Sequence, residues 1–170
     1  MDNIVLIGLP TAGKSTMGVI LAKTLGMQFL DTDLCIQDRT GMLLQEIINT
    51  RGQKRFLQIE EESILSLRCS HTVIATGGSV VYSDRAMMHL SLGSLIIYLA
   101  ISYDVMTRRL TNITTRGVIL GEGQSLWDMY HERVPLYERY ADIRIDCSDM
   151  HFENIVNELV VRIHESKKCR

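Results

Sequence analysis

Cysteine is scarce and scattered in this chain of 170 residues. The four, Cys35, Cys69, Cys147 and Cys169, form no C-x-x-C pair and have no histidine at zinc-ligand spacing. That pattern argues against a zinc ribbon or a disulfide framework and for reduced thiols. Only two prolines occur, and there is no proline-rich linker, internal repeat or low-complexity tract. One domain spanning 1–170 is therefore expected, large enough for a real core. Aromatic residues make up 6% against 46% apolar content overall, so the core must be mainly aliphatic. No apolar run approaches the roughly 18 residues of a membrane span. The N-terminus, MDNIVLIGLP, lacks the basic segment of a signal peptide and reads as a strand entering a glycine turn. A cytoplasmic protein without a membrane partner is expected, and a monomer. The formal charge of −2 leaves no basic excess for nucleic acid.

What is present is an alternation of short apolar runs and amphipathic stretches. Strands are expected at 3–8, 27–31, 72–76, 94–100 and 142–146, and helices at about 14–25, 53–67, 84–91, 102–110, 126–139 and 152–166. Apolar strands that do not alternate belong to a doubly wound parallel sheet covered on both faces. The gap between the second and third strands holds two helical segments, broken at Gly41 and Gly52. The segment 111–125, TNITTRGVILGEGQS, carries three glycines and a lone arginine between two helices that need only a short loop. A lid is the expectation there.

The stretch from Gly8 to Ser15, GLPTAGKS, fits G-x-x-x-x-G-K-[ST] and lies between a strand and a helix. Such a turn points successive backbone N–H groups at phosphate oxygens, and the following helix adds its positive end. Candidate nucleotide-binding residues are Gly8, Ala12, Gly13, Lys14, Ser15 and Thr16. Lys14 is suited to the β- and γ-phosphates, and the Ser15 hydroxyl to Mg2+. The second strand ends in Asp31-Thr32-Asp33, at the carboxyl edge where ligands gather in open α/β sheets. One acid can serve the metal and the other can orient and deprotonate a hydroxyl; alternatively, Asp33 caps the helix LCIQDR. The third strand runs into Thr76-Gly77-Gly78-Ser79, where small residues allow close backbone approach to a ligand.

The P-loop, FLDTD, ATGGS, a lid arginine and ERVPLYERYAD occur in an order that resembles the shikimate kinases over essentially the whole chain. The resemblance implies a P-loop kinase fold with a five-stranded parallel sheet, order 2-3-1-4-5, flanked by helices and carrying a lid. It implies transfer of the γ-phosphate of ATP, with Mg2+, to a hydroxyl of shikimate or a related polyol. By resemblance, Lys14, Asp33 and Arg116 are catalytic, and Ser15 and Asp31 serve the metal. Arg109 and Arg116 contact the nucleotide, with His151 and Phe152 opposite Arg109 at the adenine. Asp33, Phe56, Leu57, Gly77, Gly78, Ser79 and Arg133 line the acceptor site. Three departures stand out: Leu57 replaces the arginine that clamps the acceptor carboxylate, Ser79 replaces a third glycine, and Gly117 a proline. Glu60, the usual companion of that arginine, either faces the pocket or joins Glu61 and Glu62 on a solvated face. A gluconate- or nucleotide-type kinase, or a non-catalytic nucleotide-binding relative, are the alternative readings.

Overall fold

The computed structural model describes residues 2–110, 120–121, 123–148 and 150–168. Most of the expected lid, including Arg116 and Gly117, lies outside the described residues. Five strands, β1 (Asn3–Ile7), β2 (Gln28–Asp31), β3 (Thr72–Ala75), β4 (Ser94–Ala100) and β5 (Ile143–Asp146), form one parallel sheet in the order β2-β3-β1-β4-β5. Among the described residues seven α-helices accompany it: α1 (Lys14–Leu25), α2 (Thr32–Thr40), α3 (Leu44–Ser66), α4 (Asp84–Ser91), α5 (Tyr103–Leu110), α6 (Leu126–Tyr140) and α7 (Phe152–Lys168). A short 3-10 helix covers Val80–Tyr82. This is the fold class and strand order expected. Among the described residues no helix is long and apolar enough to cross a membrane.

The three inner strands have the double-sided burial that their apolar runs predict. β3 and β4 are buried throughout, and β1 from Ile4 onward. The outer strands differ: β5 alternates buried and exposed residues, and β2 is only partly covered. Each has one neighbouring strand, so the helices that sandwich the centre do not close over it. Burying each central Ile, Leu or Val side chain contributes about 1.5–3 kcal/mol. Tyr98 of β4 stacks on Tyr137 of α6 at 5.1 Å between centroids, adding an aromatic contact to an aliphatic core.

Helix boundaries follow local chemistry. α1 begins at Gly13 and ends at Gly26, which takes a left-handed conformation while its neighbourhood closes back on Ala22 and Lys23. Ser125 and Asp128 form a reciprocal capping box at the start of α6, and Ser83 caps α4 through Ala86 N. The two segments foreseen between β2 and β3 are α2, closed by Gly41, and α3, which bends at Gly52. Gly52 has φ 78° and ψ 161°, a backbone that other residues rarely adopt. α3 packs against α2, α4 and the short 3-10 helix. The cap of α2 is Asp31, whose carboxylate accepts from Asp33 N at 3.0 Å. Asp33, offered above as a possible cap, is inside the helix, because helical geometry begins at Thr32.

Candidate active site

The loop from Gly8 to Gly13 turns at the carboxyl edge of β1. Lys14 is buried, and its Nζ donates to Gly8 O at 2.8 Å and Leu9 O at 2.9 Å, so the ammonium is drawn across the loop mouth. Thr11 has φ 65°, a strained backbone for a β-branched residue. Its Oγ1 is buried with no hydrogen-bond partner among the described residues. An unpartnered hydroxyl beside an ammonium and a helix N-terminus suits an anionic oxygen. Pro10, Thr11, Gly13, Lys14, Ser15, Asp33 and Thr76–Gly78 enclose this cavity.

A second, smaller cavity adjoins it, lined by Pro10, Asp33, Leu44, Phe56, Glu60, Gly77–Ser79 and Arg133. Pro10, Asp33, Gly77 and Gly78 belong to both walls. Asp33 thus stands where a group in one cavity meets a group in the other. Gly77 is required by close approach: a Cβ there would lie 2.5 Å from Glu60 Oε1 and 3.0 Å from Asp33 Oδ1. Its N–H donates to Thr32 Oγ1 at 3.2 Å, which fixes the turn against α2.

Arg133 is 1% exposed. Its Nε donates to Tyr82 Oη at 3.0 Å, and the guanidinium carbon lies 5.0 Å from the centre of the Tyr82 ring. Burial raises the Tyr82 phenol above its ordinary range, against the opposing pull of Arg133. Tyr137, one turn after Arg133 on α6, donates its hydroxyl to Gly78 O. One face of α6 therefore supplies both a cation and a brace for the glycine turn.

Glu60 faces this pocket and is 3% exposed, so it is not part of a solvated acidic face. Ser79 Oγ lies 2.9 Å from its Oε1 and 2.8 Å from its Oε2. Its carboxyl is pushed up to about 7, first by burial and further by the charge of Asp33, against the Ser79 contact and the charges of Arg133 and Lys14. Glu61 and Glu62 turn elsewhere, to Ser83 and Arg85 and to Arg39 and Arg55.

A family model, SKI: Shikimate kinase, matches residues 10–164. The chain belongs to the shikimate kinase family. The shikimate kinase of Mycobacterium avium is 39% identical over 169 residues, covering 98% of this chain and 96% of that one. That of Thermodesulfovibrio yellowstonii is 38% identical over 163 residues, 94% of each chain. A solved shikimate kinase from Acinetobacter baumannii, in complex with shikimate, has a TM-score of 0.88 at 27% identity, covering 98% of this chain and 95% of that one. The protein is a phosphotransferase, an ATP-dependent small-molecule kinase of this family, and the gluconate- and nucleotide-type readings are not favoured.

In this shikimate kinase relative the expected site residues separate into three groups. Lys14, Ser15, Gly13, Asp33, Gly77, Gly78, Ser79, Phe56 and Arg133 converge on the two cavities. Others lie around them. Thr16 is exposed on α1, and Ala12 is a core residue whose N–H is engaged by Leu9 O at 3.2 Å. Asp31 caps α2, and Gly8 holds Lys14 through its carbonyl. Arg109 ties α5 to the loop through Thr11 O at 3.1 Å and reaches Cys147 O at 3.5 Å. His151 and Phe152 are exposed. Leu57 does not line the small cavity; it borders a wider outer cleft with Arg55, Ser79 and Tyr82. Arg116 lies outside the described residues. Sequence reasoning missed Pro10, Leu44, Tyr82 and Tyr137. Tyr137 had a signal, since it is four residues from Arg133 and so shares its helix face; Tyr82 had none.

Proposed function

We propose that this kinase transfers the γ-phosphoryl group of ATP to a ring hydroxyl of shikimate. The phosphate cavity takes the nucleotide's phosphates on the loop amides, with Lys14 and Thr11 Oγ1 at the charged oxygens. The small cavity takes the acceptor. Asp33 orients the attacking hydroxyl and receives its proton, and Arg133 holds the carboxylate. The observation that carries this reading is the shared wall: Asp33, Gly77 and Gly78 border both cavities, so that a group in one adjoins a group in the other.

The Ser15 hydroxyl, on the wall of the phosphate cavity, and the Asp31 carboxylate, at the end of β2, are the oxygen donors proposed to hold Mg2+. A divalent ion held there would supply positive charge at the phosphates. Arg116, by its place in the sequence, is proposed to add a further positive charge at the phosphates.

With Leu57 in place of an arginine, Arg133 is the one guanidinium lining the small cavity among the described residues. One charge-assisted contact fewer costs about 1.5–3 kcal/mol, or roughly 10–150-fold in acceptor affinity. A coupled ADP-release assay over shikimate, quinate and gluconate at saturating Mg-ATP tests the reading. Shikimate should be phosphorylated with an elevated KM. Turnover of gluconate with none of shikimate would overturn the acceptor assignment.

A further inference from the structure

Three features of the acceptor cavity remain unused by the phosphoryl chemistry. First, Ser79 Oγ makes two contacts of nearly equal length, 2.9 and 2.8 Å, to the two oxygens of one carboxyl group. A hydroxyl has a single proton. A neutral acid satisfies both contacts as a closed pair, its O–H donating to Ser79 Oγ while the serine O–H donates to the other oxygen. Second, Asp33 faces Glu60 across one glycine, where a single methyl group would touch both carboxyls. Two negative charges at that separation disfavour each other. Third, the residue one helical turn before Glu60 is Leu57, which supplies no cation to the pair.

From this geometry we infer that the Glu60–Ser79 pair selects the acceptor: as a neutral pair it admits an anionic acceptor beside Arg133, and as a carboxylate it repels one. The inference rests on the proposed function. The charged groups facing Glu60 are Asp33 from α2, Lys14 from α1 and Arg133 from α6. On the outer side, Lys54, Arg55, Glu61 and Glu62 of its own helix border the wider cleft, with Tyr82 and Arg85 across it. Ionisation of Glu60 therefore adds a second negative charge next to Asp33, with Arg133 already committed to the acceptor. A carboxylate acceptor is disfavoured by that charge, whereas an uncharged polyol is not.

The test is the KM for shikimate from about pH 6 to pH 9 at saturating Mg-ATP, in the parent, Glu60→Gln and Ser79→Ala. The acceptor's own carboxylate stays ionised over this range. In the parent, KM should climb about tenfold per pH unit above the Glu60 transition near 7, with kcat at saturation little changed. Glutamine keeps both contacts to Ser79, its amide donating to Oγ and its carbonyl accepting, but it cannot ionise. Its KM should stay flat, and at about pH 8.5 should lie about tenfold or more below the parent's. Ser79→Ala removes the hydroxyl that closes the pair with Glu60, so the rising limb should shift from its parental pH. A merely structural role would alter stability or kcat without moving the limb. Identical KM profiles in the parent and Glu60→Gln, or an unmoved limb in Ser79→Ala, would overturn the inference while leaving the kinase reading intact. Absence of shikimate phosphorylation by the parent at every pH would overturn the acceptor assignment, and this inference with it.

Discussion

Replacing Glu60 by glutamine should make the fold more resistant to alkaline pH, by an amount that the pocket sets. In the folded protein Glu60 titrates near 7, against 4.5 for an unhindered glutamate, because burial penalises its charged form. Between those two pH values the folded state binds the proton and the unfolded state releases it. Stability therefore falls as pH rises through the window, and the loss is complete once the folded group has also ionised. At 1.36 kcal/mol per unit, the full penalty is roughly 3 kcal/mol. Glutamine preserves the shape and both contacts to Ser79 without a charge to bury. The assay is urea unfolding of parent and variant at about pH 5 and pH 8.5. The stability of the variant relative to the parent should grow by roughly 2–3 kcal/mol between the two conditions. A difference that is the same at both pH values would show that Glu60 is not neutral in the folded pocket, and the reasoning would fail.

Lys14→Ala should reduce turnover by about 100-fold or more, and it should also lower stability, because Nζ joins two loop carbonyls in a buried position; steady-state kinetics and urea unfolding separate the two effects. Gly77→Ala would place a methyl 2.5 Å from Glu60 Oε1 and 3.0 Å from Asp33 Oδ1. Overpacking there should cost about 1–3 kcal/mol and displace Asp33, so kcat/KM should fall further than stability alone accounts for. Leu57→Arg restores a cation one turn from Glu60, and the KM for shikimate should fall by about tenfold at neutral pH in steady-state assays; an unchanged KM would mean that Arg133 alone suffices.

The sheet was legible because its signals are local. Each inner strand is a short aliphatic run, and Gly13-Lys14-Ser15 follows the first of them, so strand, loop and helix can be read in one pass. Gly41 and Gly52 announced the two breaks before β3 for the same reason. The small cavity was legible only in part. Glu60, Glu61 and Glu62 are indistinguishable as letters, yet successive positions differ by about 100° around a helix. One therefore enters the pocket, the next meets Ser83 and Arg85, and the third reaches Arg39 and Arg55. The bend at Gly52 decides which is which. Tyr82 was hidden for a similar reason: its partner Arg133 is 51 residues away, and nothing in either neighbourhood announces the pairing.

The bend at Gly52 has a mechanical consequence. Ile36, Ile47, Phe56 and Ile59 form a small apolar cluster of their own, distinct from the large one around the sheet. It binds α2 to both arms of α3, and Phe56, on the later arm, is also part of the small cavity's wall. That corner is bounded by two glycines with positive φ, Gly41 and Gly52, and holds far fewer apolar groups than the centre. It should behave as a separate cooperative unit, opening at a lower free energy than the sheet. Native-state hydrogen exchange would register this as amides of 33–51 opening well before those of β1 and β4. An acceptor taken up in the small cavity, as proposed above, would then enter by loosening this corner, with the sheet and the loop after β1 left in place.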